Sequence, residues 1–386
     1  MLKPALVLSA GTAALGVIRS LGRRGVPVVV LSHEKTEIGR VSRYAREMIH
    51  APHPDHEAKE VVELLLRLAP RLGGGVVMPC SDGFLGAVAR YKEVLLPHYR
   101  VGCPDSELAH AVLQKCITYE VAQAAGVPTP RTVLLDDPAV LERERRAVEF
   151  PILVKPVLGH SYLRQFRRKM VLAHSFDELH AAYTEAEAQG CAMMLQEFIP
   201  GPDGAGVNYN GYFWNGEPLV EFTAAKVRNA PPRIGSPRVV MSQHVPEVIE
   251  PGRRLLRALG YSGFACTEFK WDARDRSYKL MEVNGRHNMS SWLAARCGVD
   301  FPWLEYRHLA YGEVPTARDF EDGVYWIDIA RDVFHTFVHR RSEGYPVARY
   351  LEPYLRRHVF AEFDWRDPLP FLNRFRRAFS RLSRSK

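Results

Sequence analysis

The sequence has few of the features that mark disulfide-bonded, zinc-binding or membrane-spanning proteins. Its six cysteines are scattered and form no CxxC pair, so neither a disulfide framework nor a zinc site is indicated. No apolar run approaches the roughly 20 residues that a membrane-spanning helix requires. The residues after Lys3 resemble a signal peptide, but Val26–Leu31 supplies the next apolar strand so soon that strand, turn and helix are the better interpretation. We therefore expect a protein of the reducing cytoplasm.

Three other kinds of site have little support. The turn Gly11–Gly16 reads GTAALG rather than GxGxxG, and together with Glu34 near the end of the next strand it only weakly indicates a dinucleotide site. No pattern of a catalytic triad stands out. Three histidines spaced by three residues would suit zinc on a helix, but two intervening prolines disfavour that helix. These residues are His50, His53 and His56, with Pro52 and Pro54.

The composition is that of a globular protein with a basic excess. Of 386 residues, 46% are hydrophobic and 25% are charged, which is ordinary for a chain of two or three domains. The formal charge of +8 suits acidic ligands such as nucleotides, but also nucleic acid or an anionic membrane. Much of the excess lies in residues 373–386, which carry five arginines, one lysine and no acid. The rest of the chain is therefore less basic than the total suggests.

Strands and helices alternate over residues 1–112, a pattern typical of a parallel α/β sandwich. The continuous apolar runs in this part predict strands that are covered on both faces. Farther on, Ser106–Ala125 is helical by periodicity, Phe150–Val154 and Ala192–Ile199 are apolar strands, and Asn215 with the following glycine marks a hairpin. Val324–His339 is predicted to be helical. The middle of the chain thus mixes strands and helices differently from its beginning.

One predicted hairpin carries a cluster of metal-binding groups. Its strands are Phe264–Trp271 and Tyr278–Asn284, and each has a carboxylate within an apolar run: Glu268 in the first and Glu282 in the second. Glu282, Asn284 and Arg286 are spaced by two residues, so an extended chain places them on one face. Two carboxylates and an amide oxygen form a site for a hard cation such as Mg²⁺. The arginine suits a phosphate or a carboxylate.

Several polar positions, in their order along the chain, resemble the ATP-grasp superfamily. Lys115 precedes GVPTP, Lys155 lies in FPILVKP, and Gln196–Gly201 reads QEFIPG. The hairpin acids, with Asn284 and Arg286, complete this order over roughly residues 112–312. Within the superfamily the chain is similar to the carboxylate–amine ligase-like subgroup, which includes D-aspartate ligase-type enzymes. The segment Cys80-Ser-Asp82 after a strand is one of the features it shares with that subgroup.

The sequence departs from the superfamily in two places. Gly285 stands where relatives commonly have proline between the asparagine and the arginine. The loop Gly159–Lys169 has a single glycine, whereas many relatives cover the phosphates with a glycine-rich loop. Its charges are either side-chain substitutes for backbone phosphate donors or a solvated run. These are Arg164, Arg167, Arg168 and Lys169.

The resemblance implies both a fold and a division into domains. The expected fold class is α/β and α+β: a parallel α/β pre-ATP-grasp domain, then a two-subdomain ATP-grasp fold, then a helical basic extension. The expected bounds are 1–112 for the first domain, 113–190 for the small subdomain, 191–312 for the large subdomain with the metal site, and 313–386 for the extension.

The resemblance also implies roles for individual residues. The expected cofactors are ATP and Mg²⁺, with Mn²⁺ as an alternative ion. Metal ligation falls to Glu268, Glu282 and Asn284. Phosphate contacts fall to Lys115, Lys155 and Lys169, the adenine edge to Gln196, Glu197, Phe198 and Ile199, and the ribose to Asp203. Arg286 is expected to act on the transferring phosphoryl group. Lys226 and Arg228 are the candidates for binding the acidic substrate.

The implied reaction is ATP-dependent ligation of a small carboxylic acid to an amino acid-like amine, through an acyl phosphate. A carboxylase, a small-molecule kinase and a non-catalytic ATP-binding relative stay open as alternatives. No nucleic acid is expected as a partner, and a homo-oligomer is left open. The amphipathic stretch Phe371–Leu382 suits an anionic inner membrane surface, a protein partner or the protein's own core equally.

Overall fold

The computed structural model describes residues 2–157, 162, 165–166, 168–343 and 346–384. Within these ranges the chain forms three sheets of five, four and seven strands. None of the helices found there is long and apolar enough to cross a membrane.

The first sheet is parallel and has the strand order β3-β2-β1-β4-β5. Its strands are β1 Ala5–Leu8, β2 Val28–Ser32, β3 Ala45–His50, β4 Val76–Pro79 and β5 Arg100–Val101. The helices that accompany it are α1 Thr12–Gly22, α2 Ala58–Leu72, α3 Asp82–Arg90, α4 Lys92–Leu95, α5 Ser106–Leu113 and α6 Lys115–Ala124. Strands β1 and β2 are wholly buried because helices cover both faces, as their continuous apolar sequences predict.

The helix predicted over Ser106–Ala125 is two helices, and the prediction of one continuous helix is wrong. Gln114 lies between them with an extended backbone, at φ −100° and ψ 105°. The hydroxyl of Thr118 donates to the carbonyl oxygens of Ala111 and Gln114, at 2.7 and 3.2 Å, which holds the corner. As a result Lys115 begins a new helix instead of lying in the middle of a long one. Periodicity alone does not detect a break that keeps the apolar face in phase.

The second sheet is small and antiparallel, with the order β6-β9-β7-β8. Its strands are β6 Thr132–Leu135, β7 Ile152–Pro156, β8 Val171–Ala173 and β9 Met193–Glu197. Helices α7 Pro138–Glu144 and α8 Phe176–Glu187 accompany it. Side chains such as Val154, Leu179 and Leu195 form its own core cluster. The predicted apolar strands Phe150–Val154 and Ala192–Ile199 therefore correspond to β7 and β9.

The third sheet has the order β14-β13-β10-β11-β12-β15-β16. Its strands are β10 Gly206–Trp214, β11 Glu217–Ala230, β12 Ser236–Ser242, β13 Gly263–Asp272, β14 Ser277–Asn284, β15 Tyr325–Ile327 and β16 His358–Phe360. The helices in this part of the chain are α9 Ile249–Ala258, α10 Ser291–Arg296 and α11 Phe301–Tyr311. The turn at Asn215 and Gly216 has φ 50° and 78°, so the predicted hairpin is confirmed.

The residues after position 312 complete the third sheet. Val324–His339 was predicted as a helix, but Tyr325–Ile327 is a strand that pairs antiparallel with β12 and parallel with β16. The helix starts only at Ile329, and the three helices of this region are α12 Ile329–Glu343, α13 Val347–Leu355 and α14 Leu369–Arg384. Trp326 is fully buried in the sheet. A buried strand is apolar and aromatic, and the same composition is found in a buried helix. The helical prediction is therefore wrong for the first residues of this segment.

The amphipathic helix α14 begins on the protein's own surface. The rings of Phe371 and Phe363 lie 5.2 Å apart, and Arg374 pairs with Asp328 at 3.2 Å and with Glu362. The sequence left a membrane surface, a protein partner and the protein's own core open for this stretch. The first turns of α14 contact the protein itself.

Candidate active site

A cleft of about 860 Å³ opens where the three sheets meet. Its walls include Asp82 and Lys115 from the first part of the chain, Lys155 from β7, and Glu268 and Glu282 from β13 and β14. Most of the positions singled out from the sequence thus converge on one cavity. A cavity of this volume suits a nucleotide and small substrates.

The acidic pair lies at the centre of the cleft. Glu268 and Glu282 are direct partners across the β13–β14 ladder, and the side-chain amide of Asn284 lies 3.4 Å from Glu268 Oε1. Lys226 Nζ is 2.5 Å from Glu268 Oε2, and Lys115 Nζ is 2.9 Å from Glu282 Oε1. The ammonium groups of Lys226 and Lys115 thus lie against carboxylate oxygens that would also attract a metal cation.

The charge of Lys115 keeps Glu282 ionised. Burial by itself raises the pKa of the Glu282 carboxyl, but Lys115 and two other lysines lower that pKa well below its usual range. The carboxylate is therefore available as a ligand at neutral pH. Oxygens of Glu268, Glu282 and Asn284 are the donor set that Mg²⁺ prefers, and ligand oxygens would complete the coordination. The residues fit a magnesium ion.

Lys155 is buried at the end of β7 and donates to Gln196 Oε1 at 2.7 Å. Gln196 in turn donates to Thr132 at 3.1 Å. Burial, and secondarily the charge of Lys115, lowers the pKa of Lys155 to about 8. Gln196 is fully buried and its backbone pairs with Thr132 of β6 and Leu153 of β7, so it orients the lysine and does not line the adenine edge. That correction follows from its central place in the small sheet, between β6 and β7.

Two of the predicted nucleotide-binding residues have side chains that are bound to other parts of the protein. The Glu197 side chain faces away from the cleft, where it accepts from the backbone N–H of Arg131 at 3.0 Å and pairs with Arg274. Asp203 is buried, and its oxygens accept from the backbone N–H groups of Asn229 at 2.8 Å and Arg233 at 2.6 Å. Asp203 thus holds the proline-rich loop in place; it also lines the cleft, and its contact with the ribose stays a prediction. Phe198 and Ile199 do line the cleft, as predicted residues of the adenine edge.

The two basic residues predicted to bind the acidic substrate have different surroundings. Lys226 lines the cleft, but Arg228 is 1% exposed and binds Asp332 with two hydrogen bonds of 3.0 and 2.7 Å. Its third contact is the carbonyl oxygen of Tyr350, at 3.1 Å. Arg228 therefore joins β11 to α12 and α13, and is withdrawn as a substrate-binding residue. The alternation of side chains along β11 is broken by bulges near Lys226, which the sequence does not reveal.

Arg286 points into the cleft and pairs with Asp82 across 204 positions of sequence. Its Nε and terminal nitrogen donate to the two oxygens of Asp82 at 2.6 and 3.1 Å. Asp82 begins α3, after the N-cap Ser81. Asp82 was not among the predicted site residues, although the segment Cys80-Ser-Asp82 was noticed as a shared feature. The arginine thus already holds one carboxylate.

The basic loop is described in part. Residues 158–161, 163–164 and 167 lie outside the described residues, and with them Arg164 and Arg167. Lys169 lines the cleft and its Nζ lies 2.5 Å from Ser236 Oγ, whereas Arg168 pairs with Glu185. Lys169 is thus positioned at the cleft by a contact with β12.

Another residue missed from the sequence is Lys270, which lines the cleft beside Phe198. Its spacing of two residues from Glu268 on one strand was the available signal.

The alternative sites considered from the sequence are not formed. Glu37 accepts hydrogen bonds from Ser9, from the backbone of Ala10 and from Ser32, at 2.7, 2.6 and 2.6 Å. This internal carboxylate fills the turn before α1, where a dinucleotide phosphate would lie. In the described part of the chain, no group of three or more His, Cys, Asp or Glu side chains is arranged to hold a metal ion, so the zinc hypothesis for His50, His53 and His56 is wrong.

Known proteins resemble this chain in sequence and in fold. A D-aspartate ligase of Enterococcus faecium is 26% identical over 261 residues, which cover 62% of this chain and 61% of the relative. A D-alanine–D-alanine ligase of Methylococcus capsulatus is 29% identical over 54% of this chain and 70% of the relative. The match with the D-aspartate ligase thus spans less than two thirds of that protein. No family model matches the chain.

Among solved structures, a biotin carboxylase from Campylobacter jejuni, described as a β,γ-ATP complex, superposes with a TM-score of 0.67. The likeness covers 84% of this chain and 74% of that one at 18% sequence identity, so it concerns the fold. The chain has an ATP-grasp fold, and its sequence is similar to those of D-aspartate and D-alanine–D-alanine ligases.

Proposed function

We propose that this protein is an ATP-dependent carboxylate–amine ligase, which forms an amide bond through an acyl phosphate. The observation that carries the proposal is the arrangement of the cleft. Glu268 and Glu282, paired across one hairpin, line the same cleft as a buried lysine, Lys155, and an arginine, Arg286, that already holds a carboxylate. The matched relatives, named as D-aspartate and D-alanine–D-alanine ligases, join amino acids and give the same reaction class a sequence basis. The domain bounds expected from the sequence are part of this proposal.

The nucleotide would lie with its base at Phe198 and Ile199 and its phosphates towards the acidic pair. Glu268, Glu282 and Asn284 would hold a magnesium ion, which screens the phosphate charge. The ammonium groups of Lys115 and Lys226 now neutralise the same two carboxylates. A magnesium ion held by the two carboxylates would leave these ammonium groups free to bind phosphate oxygens.

The first chemical step forms a carbon–oxygen–phosphorus link. An oxygen of the substrate carboxylate attacks the γ-phosphorus, the bond to the β-phosphate oxygen breaks, and ADP leaves. Arg286 stabilises the equatorial oxygens of the transferring group, since its guanidinium offers two parallel donors. The amine then attacks the acyl carbon, the carbon–nitrogen bond forms, inorganic phosphate leaves and the amine loses a proton to solvent. Catalysis consists mainly of positioning and charge stabilisation.

Asp82 gives the acceptor end a specific property. Its carboxylate occupies the arginine fork that an incoming anion needs, at 2.6 Å from Nε. An acyl phosphate or a substrate carboxylate must displace or share this contact. The amine of the second substrate can then lie against the released Asp82. The cleft thereby has one group for each charge of an amino acid.

The reaction is tested by release of ADP from Mg-ATP in the presence of pooled carboxylic acids, with and without pooled amino acids. We expect release that requires both pools, with an amide in the products by mass spectrometry. Hydroxylamine in place of the amine should trap the acyl phosphate as a hydroxamate. Folded protein that binds ATP but stays silent with every pool would contradict the proposal. Release that requires an acid but no amine would favour another acceptor, and phosphorylation of a hydroxyl compound would favour a kinase.

A further inference from the structure

Lys270 differs from the other lysines of the cleft in having no polar partner. It lies on β13 and is only 9% exposed, yet in the described part of the chain its ammonium makes no hydrogen bond and no ion pair. Four other lysines of the same cavity are each bonded: Lys115 to Glu282, Lys155 to Gln196, Lys169 to Ser236 and Lys226 to Glu268. A buried amine without a hydrogen-bonded partner is costly unless something else receives its protons.

Lys270 lies close to the proposed metal site along β13. Lys270 and Glu268 are two residues apart on β13, so their side chains share a face and lie about 7 Å apart along the strand. The direction from Glu268 to Lys270 leads towards Phe198, whose ring centroid is 5.1 Å from the Lys270 ammonium. The ammonium therefore lies between the groups proposed for the phosphates and those proposed for the base.

The strand next to β13 gives Lys270 no hydrogen-bond partner. Gly206 of β10 is the direct partner of Lys270, and the aliphatic stem of Lys226, whose ammonium is bound to Glu268, packs against that glycine. Asp203 is the carboxylate closest in the chain to this glycine, but it is already bound to the backbone of Asn229 and Arg233. Lys270 thus lines the cavity beside the Phe198 ring, with no hydrogen-bond acceptor for its ammonium among the described residues.

We infer that Lys270 binds the ribose of the nucleotide, its ammonium donating to the sugar hydroxyls. The inference rests on the proposed ATP site, since it takes the directions of base and phosphates from it. The sugar is the part of ATP that lies between base and phosphates, at the level that the strand gives to Lys270. A hydroxyl oxygen is a neutral acceptor, which suits a site where no carboxylate or phosphate is needed to retain the lysine. Asp203, predicted for this role, lies near this lysine, and its oxygens are bound to the backbone of Asn229 and Arg233.

The test compares binding of Mg-ATP with that of Mg-2′,3′-dideoxy-ATP, by calorimetry and without any carboxylic acid. Wild-type protein should bind ATP about tenfold more tightly than the dideoxy analogue, the loss expected for a hydrogen bond from a charged donor. In Lys270→Met the two nucleotides should bind equally, with the affinity of wild type for the analogue. Lys270→Arg should recover part of the preference. Lys59→Met, the same change at an exposed lysine of α2, should leave the preference intact.

Three outcomes would overturn the inference. Equal binding of the two nucleotides by wild-type protein would overturn it before any variant is made. A tenfold preference that persists in Lys270→Met would also overturn it. A variant that weakens ATP and the analogue by the same factor would assign Lys270 to the base or the phosphates. If wild-type protein binds neither nucleotide, the proposed function itself fails, which is a different result.

Discussion

The two ends of the cleft are built in different ways. At the metal end, Glu268 and Glu282 belong to one hairpin and their lysine partners lie in the elements that pack beside it. At the other end, Arg286 meets Asp82, which is separated from it by most of the chain and by a different sheet. The metal end is therefore fixed by local strand geometry, whereas the other end depends on how the first sheet docks. We expect the first to control nucleotide binding and the second to control the acceptor.

The largest expected effect is that of Glu282→Gln at the metal end. It removes one negative metal ligand while keeping the shape of the side chain, and should lower kcat for ADP release by about 10²–10³-fold, the cost of losing one transition-state charge contact. Glu47→Gln is the matched control, because that glutamate pairs with Arg71 on the surface. Steady-state assays at saturating Mg-ATP measure both. Unchanged turnover in Glu282→Gln would remove the metal role from this hairpin.

At the other end, Arg286→Lys should lower kcat by about tenfold or more, since a lysine cannot replace a two-donor fork. Binding of Mg-ATP in the absence of acid should change less than threefold, roughly the scatter expected for a group that acts mainly on the transferring phosphoryl group. Arg71→Lys, which alters a similar fork on the surface, is the control. A large loss of ATP affinity with normal kcat would reverse the division between the two ends.

Affinity for Mg-ATP should fall as pH rises above about 8, because burial holds the pKa of Lys155 near that value. Phosphate favours the charged lysine, so its contribution is complete below the pKa of the free protein and decreases by about tenfold per pH unit above it. The groups that act on this lysine are Lys115, Glu282, Glu268 and Lys169. Calorimetry in buffers of different ionisation enthalpy should detect proton uptake on binding near pH 8. Lys155→Met should bind ATP weakly and without that uptake.

The smallest expected effect is that of Asp82→Asn. The pair with Arg286 is partly exposed, so removing the competing charge should lower KM for the carboxylic acid by about two- to fivefold, as for a surface ion pair. Asp55→Asn, a neighbouring cleft carboxylate, is the control. A KM that rises for the amine instead would show that Asp82 mainly binds the second substrate.

The sequence could indicate residues whose positions depend on local strand geometry, but not those whose contacts lie far away in the chain. Glu268, Glu282, Asn284 and Lys155 could be found because strand periodicity and apolar flanks constrain each within a few residues. The roles of Glu197, Asp203 and Arg228 could not, since they depend on Arg274, on the 229–233 loop and on Asp332, which lie far away in sequence.

The strand Tyr325–Ile327 escaped prediction for a related reason. Three residues carry too little periodicity, and only pairing with β12 and β16 makes them a strand.

The region after residue 312 has a practical meaning for work with this protein. It adds two strands to the third sheet, and it also places Asp367 against Arg19 of α1. Both side chains are fully buried, and Asp367 Oδ2 lies 3.0 Å from Arg19 Nε. An expression fragment that stopped at the end of the expected ATP-grasp region would leave Arg19, Arg228 and Arg238 as unneutralised interior charges. The residues after position 312, about a fifth of the chain, therefore connect the first sheet to the third, and fragments made to study single domains should include them.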